Sequence, residues 1–213
     1  MEWIESTSLE VGSSREAIEE ALGADRSRPI GIVPWKDYPL KTNTSWSLLH
    51  GKDAFFLGFI CEEPTNRAVL SKPGDPVCQD SCVEWFFDWG EGVYLNVEIN
   101  PIGTSTLERG SGREGREQLL DLGAPGFRSW GSLGIEPFEE RPAEGPWKVW
   151  AVLPYDLGPV SREGLLKKGG CANFYKCGDQ LSEPHYNTWG PMSSPNPDFH
   201  QPKDFSQLSF RSS

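Results

Sequence analysis

The sequence predicts an all-β protein: an antiparallel two-sheet β-sandwich of jelly-roll or immunoglobulin-like type, with one short N-terminal helix. Three observations carry that expectation. Short runs of alternating or continuous apolar residues recur along the chain. Among 213 residues, 18 Pro and 23 Gly point to many turns rather than long helices. Only Ser13 to Leu22 reads well as a helix. Ser13 and Glu16 fit a capping box, Ala17, Ile18, Ala21 and Leu22 make an apolar stripe, and Gly23 follows as a stop. At this length one domain, residues 1–213, can hold a single well-packed core.

Strand candidates follow the helix in order: Ile30–Val33, Trp46–Leu49, Ala54–Cys61, Val83–Phe87, Tyr94–Asn100, Trp147–Leu153, Asn173–Cys177 and Leu208–Phe210. Ala54–Cys61 is apolar almost throughout, as a strand buried on both faces should be. Trp147, Val149, Ala151 and Leu153 alternate with Lys148, Trp150 and Val152, and Pro154 stops the run. Eight strands at this spacing suit a sandwich. Glu108–Glu117 is polar and Gly-rich and reads as a mobile loop. Ser182–Pro202 has five prolines yet carries Tyr186, Trp189, Phe199 and two histidines, which marks it as an ordered, functional loop.

The stretch Asp80–Gly103 reads as a hairpin, its strands joined by the tight turn Asp88-Trp89-Gly90-Glu91-Gly92. Strand side chains alternate between faces. Leu95, Val97 and Ile99 therefore share one face, and Val83, Trp85 and Phe87 share one on the neighbouring strand. The other face gathers Glu84, Asn96, Glu98 and Asn100. Such a surface can bind hydroxyl-rich ligands, hold a cation, or meet water.

Composition narrows the choice. A net charge of -11, with no basic stripe, argues against nucleic acid. No segment approaches a membrane span, and the N-terminus lacks a cationic start followed by an apolar run, so a cytoplasmic location is expected. The five cysteines form no CxxC pair and no zinc spacing, which favours reduced thiols. Gly110–Gly115 formally matches GxGxxG, but nothing around it supplies the strand and helix that dinucleotide binding needs. His185, His200, Asp179 and Asp198 match no catalytic metal pattern. An oxygen-rich structural Ca²⁺ site built from Asp residues suits them better. Glu84 and Glu98 could form a glycosidase pair, but nothing in the sequence marks one as a raised-pKa acid.

Aromatic rings beside amides and carboxylates are what a sugar site requires: a stacking face for the pyranose CH groups and partners for its hydroxyls. Glu84, Asn96 and Glu98 in the hairpin, Asn173 with Tyr175, and Trp189 with Asn187 supply both kinds of group.

The blocks DSCVEWFFDW, YLNVEINPIGT, NFYKCGDQLSEPHYNTW and PDFHQPKDFSQLSF together resemble carbohydrate-binding module family 9, and more closely its single-domain relatives, from about Trp46 to Phe210. The resemblance implies a DOMON-like β-sandwich without catalytic activity. Xylanase-linked members bind the ends of glucan and xylan chains, and small sugars, between two Trp rings; some carry structural calcium. It implies that Glu84 is the ligand-binding Glu and that Asn96 and Glu98 are the polar residues of the next strand. Asp80, Asp179 and Asp198 are the candidate metal ligands here. Two departures stand out. Val77, next to Cys78, replaces a family Trp, so half the aromatic sandwich is missing unless Trp35, Trp89 or Trp189 takes its place. Ser206 stands where the family usually has Gly. The leading expectation is a non-catalytic binder of a sugar or oligosaccharide end. A glycoside hydrolase using Glu84 and Glu98, and an interaction or scaffold domain, are the alternatives.

Overall fold

Every predicted strand segment falls on or against a strand in the computed structural model, which describes residues 1–121, 123–159 and 161–211. In chain order the strands are β1 Glu2–Ser6, β2 Arg28–Ile30, β3 Asn43–His50, β4 Ala54–Glu62, β5 Thr65–Ala68, β6 Cys82–Asp88, β7 Tyr94–Ile99 and β8 Ser105–Gly110. They continue with β9 Glu117–Gln118, β10 Arg128–Gly131, β11 Phe138–Pro142, β12 Trp147–Pro154, β13 Gly170–Cys177, β14 Tyr186–Thr188 and β15 Ser206–Phe210. The segment predicted as Ile30–Val33 pairs through β2 and then through an isolated bridge from Ile32 to Thr188. No helix among the described residues is long and apolar enough to cross a membrane.

The chain is mostly β, in two layers. One layer runs β10-β12-β4-β3 and the other β15-β13-β6-β7-β8-β9. The inward rows predicted from alternation meet in one core. Trp46, Leu48, Phe55, Leu57, Phe59, Trp147 and Val149 come from the first layer, and Val83, Trp85, Phe87, Leu95, Val97 and Phe174 from the second. Trp46 stacks on Phe174 with ring centroids 3.6 Å apart, joining the layers at the centre. Burying rings of this size supplies much of the drive to fold.

Three expectations need correction. The layers are not separate antiparallel sheets: β1 pairs parallel with both β15 and β3 and joins the layers into one curled 13-stranded sheet. Among the described residues, only β5 and β11 stand apart, as a two-stranded sheet. The run Glu2–Ser6 has a single fully buried residue, Ile4, so its pattern gave no strand signal. The helix forms as α1, Arg15–Ala21, but Ser14 rather than Ser13 caps it, accepting from the Ala17 N–H. Ser13 turns back to accept from Glu10. A second short helix, α2 Arg162–Lys168, was not expected; Ser161 caps it and Gly169, at φ 71°, ends it.

Both layers carry cover on their outer faces. Ile18 and Leu22 lay α1 over Leu49, Phe56 and Val152, which is why Ala54–Cys61 is apolar on both sides. On the second layer, Phe86, Tyr94, Tyr175 and Cys177 meet Trp35, Phe199 and Phe205. The C-terminal segment thus lies across the polar-looking face of the hairpin, and the site forms there.

Candidate functional site

The β6–β7 hairpin has the predicted two faces. Gly90 and Gly92 take the positive φ values that the tight turn needs, 88° and 73°. The register sets Glu84 directly opposite Glu98 and Phe86 opposite Asn96. Both carboxylates are nearly buried, at 3% and 8% exposure. Neither forms an ion pair among the described residues. Glu98 accepts from Asn96 Nδ2 at 2.9 Å, and Glu84 Oε1 accepts from the Cys177 thiol at 3.0 Å. Burial, and then the neighbouring Glu98 charge, pushes Glu84 well above the usual carboxylate range. Burial, then Glu108, pushes Glu98 up as well. Like charges facing each other on adjacent strands cannot both ionise cheaply.

The C-terminal loop closes over this floor and leaves a pocket of about 230 Å³. Glu84 and Glu98 lie in it with Cys78, Cys177 and Asp179, and Tyr186, Phe199 and His200 supply rings. Tyr175 backs Phe199, the rings stacked at 4.0 Å and 8°. Trp35 lies against Tyr186 and Phe199 in turn and donates to the Ser194 carbonyl at 3.0 Å. Arg113 reaches over the mouth to Asp198 at 3.0 Å. His200 Nδ1 meets the Tyr94 hydroxyl at 2.7 Å. Burial, helped by Arg116 and Arg113, lowers His200 to about 4, so its ring is neutral at pH 7.

Arg116 is the concealed support. It holds Asn96 Oδ1 with two nitrogens, at 3.0 and 2.6 Å, and lies over the Tyr94 ring at 4.2 Å. It also donates to the Gly112, Tyr94 and Glu108 carbonyls. Arg113 and Arg116 come from the segment expected to be a mobile loop. Residues 111–116 do form a loop, and it joins β8 to β9, while Glu108–Gly110 and Glu117 lie in those two strands, with Glu108 paired to Gln118.

The predicted residues separate cleanly. Glu84 and Glu98 reach the pocket; Asn96 lies beside them, committed to Arg116 and Glu98. Tyr175 is fully buried and supports the wall, its hydroxyl on the Phe199 carbonyl. Asn173 is a structural pin, accepting from the Gly190 N–H at 2.8 Å. Trp189 is half-buried and packs edge-on against Trp46 and Phe174 at the margin of the inter-layer core, because the residue after β14 returns to the β13 backbone. It is not among the residues lining the Glu84/Glu98 pocket, and Trp89 is core. Trp35 only backs the rings. Val77 is fully buried, so the missing family Trp has no direct substitute there. The rings come from Tyr186 and Phe199, in the loop that the sequence marked.

Asp80 is not a free metal ligand. Its two oxygens take the Arg67 guanidinium, the Val69 and Leu70 N–H groups, and Asn100 Nδ2. Four donors fill the acceptor sites of a carboxylate, and Asp80 ties the Arg67–Leu70 segment to β7. Asp198 is likewise engaged, by Arg113, Gln201 and the His200 N–H. Asp179 sits on the pocket wall.

With this geometry, the sequence profile described as carbohydrate-binding family 9 matches residues 17–210. The chain belongs to that family. A candidate carbohydrate-binding protein from Bacteroides uniformis ATCC 8492 is 33% identical, with a TM-score of 0.88 over 98% of both chains. Two structures of a family 9 module from Caldicellulosiruptor kristjanssonii, one with glucose and one with cellotriose, share 13% identity. Their TM-scores are 0.63 and 0.62, over 99–100% of this chain and 95% and 94% of theirs. At that identity the likeness is one of fold. No curated protein sequence matches the chain.

Proposed function

We propose that the pocket over Glu84 and Glu98 binds a small sugar or the end of an oligosaccharide, of glucan or xylan type, without catalysis. One observation carries this reading: a paired-carboxylate floor and a ring-bearing wall, from Tyr186 and Phe199, share one pocket. With both carboxylates raised, protonation within the pair is favoured over two facing charges. A protonated acid donates and its ionised neighbour accepts, so the floor can meet hydroxyls in either role. The rings supply apolar faces for the sugar CH groups. At about 230 Å³ the pocket is below the ~300–1,000 Å³ of drug-sized sites, which favours one sugar ring inside and any further units outside. The glucose and cellotriose complexes of the Caldicellulosiruptor module support this ligand class.

Calorimetric titration with glucose, xylose, cellotriose and xylotriose tests the reading, with amide chemical shifts followed around Glu84 and Glu98. Heat with saturable shifts at the hairpin is expected. Silence in both measurements across the panel removes the proposal. The raised carboxylate pair also favours a second reading, glycoside hydrolysis. Turnover of chromogenic glycosides that is lost in Glu84→Gln would establish it over simple binding.

A further inference from the structure

Linear spacing gives Cys82 and Cys177 no partner, and the sheet supplies one. They sit directly opposite each other on β6 and β13, on the same outer face as Glu84. Both sulfurs and a Glu84 carboxylate oxygen lie within 4.8 Å of one another, and all three side chains are buried. No other group of three His, Cys, Asp or Glu side chains comes together so closely among the described residues.

The electrostatics of this group are lopsided. Three acidic functions share one buried spot, and none of them forms an ion pair among the described residues. Burial, then the Cys82 thiol and Glu84 beside it, pushes Cys177 well up, and burial raises Cys82 to about 12. Without a counter-charge the cluster stays protonated, with the Cys177 thiol donating to Glu84. A cation would supply what the protein withholds. Two thiolates and a carboxylate are a zinc ligand set, with ligand bonds of about 2.3 Å to sulfur and about 2.0–2.2 Å to oxygen. Thiolates select zinc over calcium or magnesium. Access exists, because Cys177 and Glu84 both line the pocket.

We propose that Cys82, Cys177 and Glu84 form a three-ligand site for zinc in the pocket floor, its fourth coordination position facing the pocket. Binding replaces two thiol protons, and any proton on Glu84, with one divalent ion. The site's net charge becomes −1, and affinity rises with pH. The site shares Glu84 with the proposed sugar floor, but its test contains no sugar, so either reading can fail without the other.

The full chain, reduced and stripped with chelator, is titrated with Co²⁺ as a spectroscopic probe and then with Zn²⁺. The expected result is a thiolate-to-cobalt charge-transfer band in the near ultraviolet, lost on adding one equivalent of Zn²⁺. Cys82→Ser and Cys177→Ser should each remove about half the band and weaken binding at least tenfold. Glu84→Gln should keep the band and weaken binding. Cys171→Ser, which alters a β13 thiol that donates to Gln207 Oε1 on β15, should change nothing. Circular dichroism reports whether each variant folds. Should one cysteine variant not fold, zinc protection of two thiols against alkylation in the unmodified chain decides the same question. Absence of the band, a band that survives both cysteine substitutions, or a Cys82–Cys177 disulfide in the isolated protein overturns the proposal.

Discussion

Glu63 and Lys176 form a buried ion pair between the layers, and removing either charge should destabilise the protein far more than removing both. Glu63, just past the end of β4, places Oε2 2.8 Å from Lys176 Nζ on β13, and both side chains are fully buried. Trp147 Nε1 donates to Glu63 Oε1 at 2.8 Å. Lys176 also donates to the Cys177 carbonyl at 2.6 Å and lies 2.9 Å from His185 Nε2. Burial alone would raise the Glu63 pKa, but Lys176 and then His185 hold it down to about 2. Against its ordinary 4.5 that difference is about 2.5, which at ~1.36 kcal/mol each comes to about 3 kcal/mol.

The sign follows from proton binding. Folded Glu63 takes up its proton less readily than unfolded Glu63, so this contribution is complete above pH 4.5 and fades as pH falls towards 2. Lys176→Met at pH 7 leaves an uncompensated buried carboxylate, and Glu63→Gln leaves an uncompensated ammonium; each should cost about 3–5 kcal/mol. The double variant removes both charges and should recover most of that loss. Urea unfolding of all four proteins at pH 7, repeated down to pH 3.5, gives the cycle. The unmodified protein should lose stability on acidification faster than the double variant. Single variants costing under ~1 kcal/mol, or a double variant as unstable as the sum of the singles, would refute the reasoning.

Three further outcomes are expected. Phe199→Ala and Tyr186→Ala should each weaken sugar binding by about 1–2 kcal/mol, read by calorimetry, while Trp189→Phe should leave affinity unchanged and lower the melting temperature. Asp80→Ala should destabilise by about 3 kcal/mol or more in urea unfolding, because it strips partners from Arg67, two backbone N–H groups and Asn100 together. Arg116→Met should reduce sugar affinity through loss of Asn96 and Glu98 positioning, seen as a larger spread of hairpin chemical shifts, with the circular dichroism spectrum unchanged.

The parts of this molecule that were readable share a short range of cause. Alternation along one strand sorts side chains onto two faces, and it separated Trp85 and Phe87 from Glu84 without reference to anything distant. The turn at Gly90 and Gly92 then fixed the pairing of Glu84 with Glu98. What was not readable depends on chain returning from afar. Ile4 finds its place only because β15, at the other end of the chain, lies beside it. Trp189 and Phe199 sit in the same Pro-rich loop with the same kind of side chain. One packs against the edge of the inter-layer core and the other walls the pocket, by where the backbone crosses β13. Cys82 and Cys177 lack a motif in the linear sequence and gain one only in cross-strand register.

Those long-range contacts also tie stability to the site. Lys176 and Cys177 are consecutive on β13, so alternation sends one inward to Glu63 and the other outward to Glu84. Gly178 follows, and its N–H meets the His185 carbonyl at 3.2 Å, closing the loop that carries Asp179 and leads into Tyr186. His185 lies 3.3 Å from Glu63, so the inter-layer ion pair and the pocket wall share one anchor. Loosening Glu63 or Lys176 should therefore reach the pocket through His185 before the protein unfolds. Sugar affinity in the double variant distinguishes this from a purely global effect: restored stability with affinity still reduced would show that the charges position Tyr186, whereas full recovery of both would show that they only hold the layers together.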